Sequence, residues 1–258
     1  MSSILLEQSD QFAIVRINRP EKFNALSREM ILALTETFTN LNNQTDLRAI
    51  ILTGAGDKAF CAGTDIAELT ALNEAEALAA SKRGQALCDV IENCRVPVIA
   101  AVNGLAAGGG CELALACHLR VAASNAQFSL PETKLGVIPG YGGTARLARE
   151  IGHGRALEMM LTRRALPAEE ALKIGLINQI TAPGELLAEV EALARELASL
   201  APLAIRACLE AVIRGADLPL EQGLELETQL FARLFATADV REGTTAFLEK
   251  RAPTFKGK

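Results

Sequence analysis

The sequence predicts an α/β fold, and three observations carry that reading. Short β-rich runs alternate with helical stretches through the first half of the chain. Half of the 258 residues are hydrophobic, enough to bury a substantial core, and only 22% are charged. Beyond Pro183 the pattern becomes almost wholly helical.

Phe12–Asn18 (FAIVRIN) alternates with period two, as a half-buried strand does. Arg28 to Leu41 carries apolar residues at helical spacing, with Ser27 as its N-cap. Ala49–Thr53 (AIILT) is a short apolar run closed by Gly-Ala-Gly, which reads as a more buried strand. Glu74 to Ile91 is Ala-rich and helical, Val96–Val102 is another buried strand, and Asn103-Gly104 turns the chain. Leu119–Ala123 and Gln127–Leu130 read as short strands around Ser124-Asn125. Thr144–Ile151, Arg155–Leu161 and Ala168–Ile174 follow as short helices, then Leu176–Ile180 as a last extended run. Glu185–Leu200, Leu203–Arg214, Leu220–Phe235 and Val240–Lys250 complete the helical tail, with Pro202 and Pro219 at helix starts. No sequence repeat stands out. The expected organisation is an α/β region over residues 1–195 and a helical region over 196–258, whose apolar faces pack on the core or on a neighbouring subunit.

Composition excludes several function classes. A formal net charge of -5 argues against a nucleic-acid footprint, which needs clustered basic surface. MSSILLEQSD lacks the order of a signal peptide, and no stretch approaches the roughly 20 apolar residues of a membrane span. Six cysteines without C-x-x-C spacing read as reduced thiols in a cytoplasmic protein. His118 and His153 are the only histidines, too few for most zinc sites. Neither a G-x-S-x-G elbow nor a G-x-x-x-x-G-K-[ST] phosphate loop is present. Gly54-Ala-Gly56 with Ala59 fits a loose dinucleotide pattern. Phe60-Cys61-Ala62-Gly63 is nonetheless a poor helix start, and the required acidic residue at a later strand end is missing.

Three segments carry candidate chemistry. In GLAAGGGCELALAC (Gly104–Cys117) three glycines precede an apolar helical stretch. Such backbone suits close approach, and free N–H groups at a helix start suit an anion or oxyanion. Glu112 then falls in the first turn. It is either a carboxylate favoured there by the helix dipole or paired with an arginine, or a buried acid with a raised pKa. Glu132 follows Pro131 and precedes a cluster of Gly136, Pro139, Gly140, Gly142 and Gly143. It is either an ordinary loop acid or part of a shaped pocket wall. AFCAGTDI (Ala59–Ile66), with small residues around Gly63 and Thr64, offers a second backbone N–H donor, or simply a turn in which Asp65 caps a helix from Ile66. Tyr141, the only tyrosine, lines the pocket or packs.

Taken together, NRPEKFNAL, ILTGAGDKAFCAGTDI, PVIAAVNGLAAGGGCELALAC, FSLPETKLGVIPGYGGTARL and ATADVREGTTAFLEKRAPTF resemble the crotonase (enoyl-CoA hydratase/isomerase) superfamily over nearly the whole chain. The resemblance implies a repeated ββα spiral core and a C-terminal helical region that builds trimers or hexamers. It implies that the N–H groups of Thr64 and Gly109 grip a thioester oxygen, and that Glu112 and Glu132 act as general base and acid in hydrating an enoyl-CoA. By the same resemblance, Gly140 matches the glycine that helps shape the site around the reacting carbons. Ala62, Asp65, Ile66, Phe231, Phe247 and Lys250 match positions that contact CoA, Phe247 and Lys250 often from a neighbouring subunit. The expected partner is an acyl-CoA substrate, with no metal or redox cofactor, no membrane and no nucleic acid.

There are departures: alanine is frequent where this chain has Thr64, and a frequent lysine is replaced by Ala67. Lys22 is shifted by one place from a common lysine. The rival readings are a double-bond isomerase of the same fold, a hydratase or lyase specialised for an aromatic or dicarboxylic acyl-CoA, and a non-catalytic scaffold or RNA-binding protein. The presence of Glu112 beside Glu132 favours hydration over isomerisation.

Overall fold

The computed structural model describes residues 3–9 and 11–258. The chain opens with β1 (Ile4–Gln8), which pairs antiparallel with β2 (Phe12–Ile17), and continues into α1 (Arg28–Asn42). The Ser27 side chain accepts the Met30 N–H and so caps α1, as the sequence predicts. Then comes a ββα unit three times over. Its first copy is β3 (Ala49–Gly54), β4 (Ala59–Cys61) and, after the single turn α2 (Ile66–Leu69), α3 (Glu74–Glu92). The second is β5 (Val98–Val102), β6 (Leu105–Ala107) and α4 (Gly109–Ala116). The third is β7 (Leu119–Ala123), β8 (Gln127–Ser129) and α5 (Gly143–Ile151). Next follow α6 (His153–Thr162), β9 (Leu166–Pro167), α7 (Ala168–Lys173), β10 (Gln179–Thr181) and α8 (Leu186–Ala198). The tail is α9 (Pro202–Gly215), α10 (Leu220–Leu234) and α11 (Ala238–Glu249).

Each ββα unit gives one strand to each of two sheets. The larger sheet has the order β1-β2-β3-β5-β7-β10, and the smaller β4-β6-β8-β9. The repeat predicted through the family resemblance is therefore present in space although no repeat is visible in the residues. The strands of the smaller sheet are too short to show a period.

Alternation along the larger sheet divides the core. Ile50, Leu52, Val98 and Ala100 face a large cluster shared with α1, α3 and α4, while Ile51, Ile99 and Val121 face a second one. The second is closed by Leu186, Val190 and Ala194 of α8. That helix belongs to the sheet it covers, and the division expected between residues 195 and 196 falls inside it. Beyond α8 burial thins out. No residue of α9 is buried, and in α10 only Leu230 is. Pro202 stands in the first turn of α9, whereas Pro219 is the N-cap of α10. The chain end folds back on α11: the buried Asp239 carboxylate accepts the N–H groups of Lys256 at 2.7 Å and Gly257 at 2.8 Å.

Five cysteines are buried, and burial pushes the thiols of Cys61, Cys94 and Cys117 up to about 12. Cys88 and Cys111 move the same way. Among the described residues no helix is long and apolar enough to cross a membrane.

Candidate active site

The third strand of the smaller sheet and the start of α4 frame a group of backbone donors. Gly108, the residue before α4, has φ +51, which an L side chain rarely adopts. Its N–H donates to the Ser129 carbonyl at 2.9 Å, and its carbonyl accepts the Glu112 N–H at 3.0 Å. The Gly109 N–H is the first of the helix and finds no acceptor among the described residues. Thr64 lies just after β4. On either side of it, the Gly63 carbonyl accepts from Leu26 at 2.7 Å and the Asp65 N–H donates to the Leu26 carbonyl at 2.9 Å. That register turns the Thr64 N–H the other way, again without an acceptor among the described residues. The two segments touch, since a Cβ on Gly63 would lie 3.1 Å from the Gly109 nitrogen.

Two carboxylates complete the group. Glu112 stands in the first turn of α4 and is 2% exposed. Its Oε1 accepts the N–H groups of Tyr141 at 2.8 Å and Gly143 at 2.7 Å. Burial raises its pKa, while those two N–H groups and the charge of Arg146 oppose the rise. Of the two open readings, the arginine ion pair is absent among the described residues, and backbone donors hold the carboxylate instead.

Glu132 begins a single 3-10 turn, Glu132–Leu135. Its Oε2 is buried without a hydrogen-bond partner, and a Cβ on Gly108 would lie 2.9 Å from its Oε1. Burial, with the charge of Glu112 adding to it, pushes its pKa up to about 7. The surroundings thus split the pair: donors favour an ionised Glu112, and the unpartnered oxygen favours a protonated Glu132.

The structure therefore brings Thr64, Gly109, Glu112 and Glu132 into one place, with Gly140 beside them. The Gly140 carbonyl accepts from the Ser81 hydroxyl at 2.6 Å and from Gln85 at 3.3 Å, which ties that loop to α3. Ala62, Asp65 and Ile66 flank Thr64 along the chain. The Ala62 N–H donates to the Phe23 carbonyl at 3.0 Å, and Ile66 is exposed. Asp65 caps α2 through the Ala67 N–H and pairs with Arg19 at 3.0 Å; the Ala67 N–H first, then Arg19, holds its carboxyl below the usual range. Phe231, Phe247 and Lys250 lie on the tail. Phe231 and Phe247 are exposed, and among the described residues no hydrogen bond or ion pair links any of the three to the glutamates.

Sequence reasoning missed Ser81, Gln85 and Arg146, and left Tyr141 open. Arg146 donates to the Tyr141 carbonyl at 3.1 Å while paired with Glu92 and Asp89. Tyr141 packs, at 7% exposure, and also hydrogen-bonds Thr64. Among the described residues no group of three or more His, Cys, Asp or Glu side chains could hold a metal ion.

The family model described as enoyl-CoA hydratase/isomerase matches residues 7–258. The crotonyl-CoA hydratase of Syntrophomonas wolfei is 43% identical over 256 residues, covering 99% of this chain and 98% of its own. A short-chain-enoyl-CoA hydratase of Clostridium acetobutylicum is 39% identical, covering 97% of this chain and 96% of its own. The crystal structure of an enoyl-CoA hydratase from Bacillus anthracis superposes with a TM-score of 0.96 at 39% identity, over 100% of both chains. Together with the two-sheet ββα architecture and the glycine-framed carboxylates, these matches place the chain plainly: it belongs to the enoyl-CoA hydratase/isomerase family.

Proposed function

We propose that this chain is an enoyl-CoA hydratase that reversibly adds water to trans-2-enoyl-CoA, giving 3-hydroxyacyl-CoA. The observation that carries the reading is the placing of two carboxylates, one held by backbone donors and one with a buried unpartnered oxygen, beside two free backbone N–H groups.

Conjugate addition needs an electron sink, a held water and a proton donor. The Thr64 and Gly109 N–H groups grip the thioester oxygen, where negative charge develops as the enolate forms. In such sites each donor contributes about 3 kcal/mol, and Gly109 adds the positive end of α4. Glu112 takes a proton from the water as its oxygen bonds to C3. Glu132 delivers a proton to C2 as the enolate collapses, and dehydration reverses both transfers. The balance is one water added across one C=C bond, with no electron gained or lost, so the chemistry asks for no metal or redox cofactor.

Ala62, Asp65 and Ile66 hold the CoA arm near Thr64. Phe231 contacts CoA, and Phe247 and Lys250 reach it from a neighbouring subunit, which the exposure of all three within one chain supports. The buried, unpaired thiols support a reducing, cytoplasmic setting.

A spectrophotometric screen of trans-2-enoyl-CoA substrates tests the activity. Crotonyl-CoA and longer homologues are expected to lose the absorbance of the conjugated thioester. Shift of a 3-enoyl-CoA double bond with no hydration of any 2-enoyl-CoA would move the chain to the isomerases.

The tail supports an assembly. Val212, Leu220, Leu224, Phe231, Phe235 and Leu248 are all exposed in one chain, more large apolar surface than a lone subunit usually shows to water. Light scattering at micromolar concentration is expected to give the mass of a trimer or hexamer of this 27.4 kDa chain, and a monomer would refute it.

A further inference from the structure

The two oxyanion donors come from separate elements, one before α2 and one at the start of α4, so something must fix their separation. Backbone contact between Gly63 and Gly109 is one constraint. A second runs through a side chain. The Thr64 hydroxyl donates to the Tyr141 hydroxyl at 2.8 Å. The same tyrosine ring lies against Gly109, where an added Cβ would sit 2.9 Å from Cε2. Its backbone N–H holds Glu112 Oε1 at 2.8 Å. One residue thus touches both donor-bearing segments and the carboxylate.

The tyrosine is itself clamped. Its ring occupies the space that a side chain at position 84 would need, a Cβ there falling 2.0 Å from Cδ1. Arg146, braced by Glu92, grips its carbonyl at 3.1 Å. Burial raises the Tyr141 pKa, so the phenol keeps its proton across the working range.

We infer that the Thr64–Tyr141 hydroxyl pair is a positioning device for the oxyanion hole: Tyr141 acts through Thr64 and Gly109 to set the two N–H groups at the separation the enolate oxygen requires. The inference rests on the assignment of those N–H groups to the thioester oxygen. The phenol is a positioning residue rather than a catalytic one. Its loss acts on the step in which charge develops on oxygen, more than on ground-state binding.

A double-mutant cycle with Tyr141→Phe and Thr64→Val tests this. Both replacements keep the local volume and remove one end of the hydrogen bond. Each single change is expected to lower kcat for crotonyl-CoA hydration about 10-fold, with KM changed less than about 2-fold. The double variant is expected to lose about 10-fold rather than about 100-fold, because the two hydroxyls act as one unit. Thr64→Ser is expected to recover most of what Thr64→Val loses.

The same cycle is read on the equilibrium enolate absorbance of bound acetoacetyl-CoA, which reports the grip on the oxygen without hydratase turnover. The expected result is a matching, non-additive fall in the enolate fraction. Additive losses in the cycle, or Tyr141→Phe with wild-type kcat and enolate fraction, would overturn the inference while leaving hydration by the wild-type chain intact. Wild-type protein that enolises acetoacetyl-CoA but hydrates nothing would instead sink the hydratase reading. The cycle on enolate absorbance would then still decide the role of the pair.

Discussion

Replacing Glu112 or Glu132 by glutamine lowers kcat for enoyl-CoA hydration at least about 100-fold in each case, the scale of a general acid–base contribution. Glutamine keeps the size of the side chain and, at position 112, a carbonyl oxygen for the Tyr141 and Gly143 N–H groups. The fold is retained while the proton transfers stop. The pH dependence separates the two residues. Glu132 titrates near 7 because it is buried beside a second carboxylate. Hydration needs it protonated, so kcat/KM in that direction falls as pH rises through about 7. Dehydration starts from the same singly protonated pair with the proton on Glu112, and since the reaction takes up or releases no net proton, its kcat/KM falls over the same range.

Stability moves in a sense that activity does not. A carboxyl whose folded pKa lies above its unfolded value of about 4.5 disfavours the fold once it ionises. The penalty is absent below pH 4.5 and fully present above about 7. Glu132→Gln is therefore expected to raise Tm at pH 8 relative to wild type and to change it little at pH 4. Kinetic assay of both variants in both directions, with thermal melts at the two pH values, checks the set. Near-normal hydration by either variant would sink the two-carboxylate assignment.

How much of this was legible depended on the length of each element and on which atoms carry the function. The strands β2, β3, β5 and β7 each hold five or six residues and stood out as alternating or continuous apolar runs. Ala59–Cys61 and Leu105–Ala107 are strands of three, shorter than any period, and they read as parts of glycine-rich turns. Leu176–Ile180 looked extended because Leu176 and Ile177 are apolar. They are buried in the core just after α7, and the strand itself is Gln179–Thr181. β1 was missed because four of its five residues are exposed, so it shows no hydrophobic alternation.

The loose dinucleotide pattern at Gly54 has a packing reason. A Cβ there would fall 2.4 Å from the carbonyls of Ala59 and Phe60, so glycine lets β3 and β4 turn back on each other. In the site, Glu112 was legible through the glycines before it. Its partners were not, because the Tyr141 and Gly143 donors are backbone atoms and leave no trace in residue type. Ser81, Gln85 and Arg146 sit on helix faces whose spacing resembles any solvated surface. Only the fold shows that they tie down the loop carrying Gly140 and Tyr141.

Gly110→Ala is expected to lower both Tm, by roughly 5–10 °C, and kcat, by at least about 100-fold. Gly110 is the second residue of α4, and its Cα faces β4 directly: an added Cβ would lie 2.0 Å from the Cys61 carbonyl oxygen and 2.6 Å from its carbon. Both neighbours are backbone in a paired strand, so neither can turn aside as a long side chain would. Relief comes only by lifting the start of α4 off β4. That movement carries the Gly109 N–H away from Thr64 and swings Glu112, two residues beyond Gly110, out of reach of the Tyr141 and Gly143 donors. Stability and catalysis therefore fall together from a single methyl group that touches neither substrate nor carboxylate. Gly154 supplies the control. It also lies in the first turn of a helix, α6, but nothing stands within 4 Å of its Cβ position. Gly154→Ala is expected to leave kcat unchanged and to hold or slightly raise Tm, since alanine has the higher helix propensity. Thermal melts and crotonyl-CoA kinetics on the two variants decide the matter. Wild-type Tm and kcat in Gly110→Ala would show that α4 can shift on β4 without disturbing the donors.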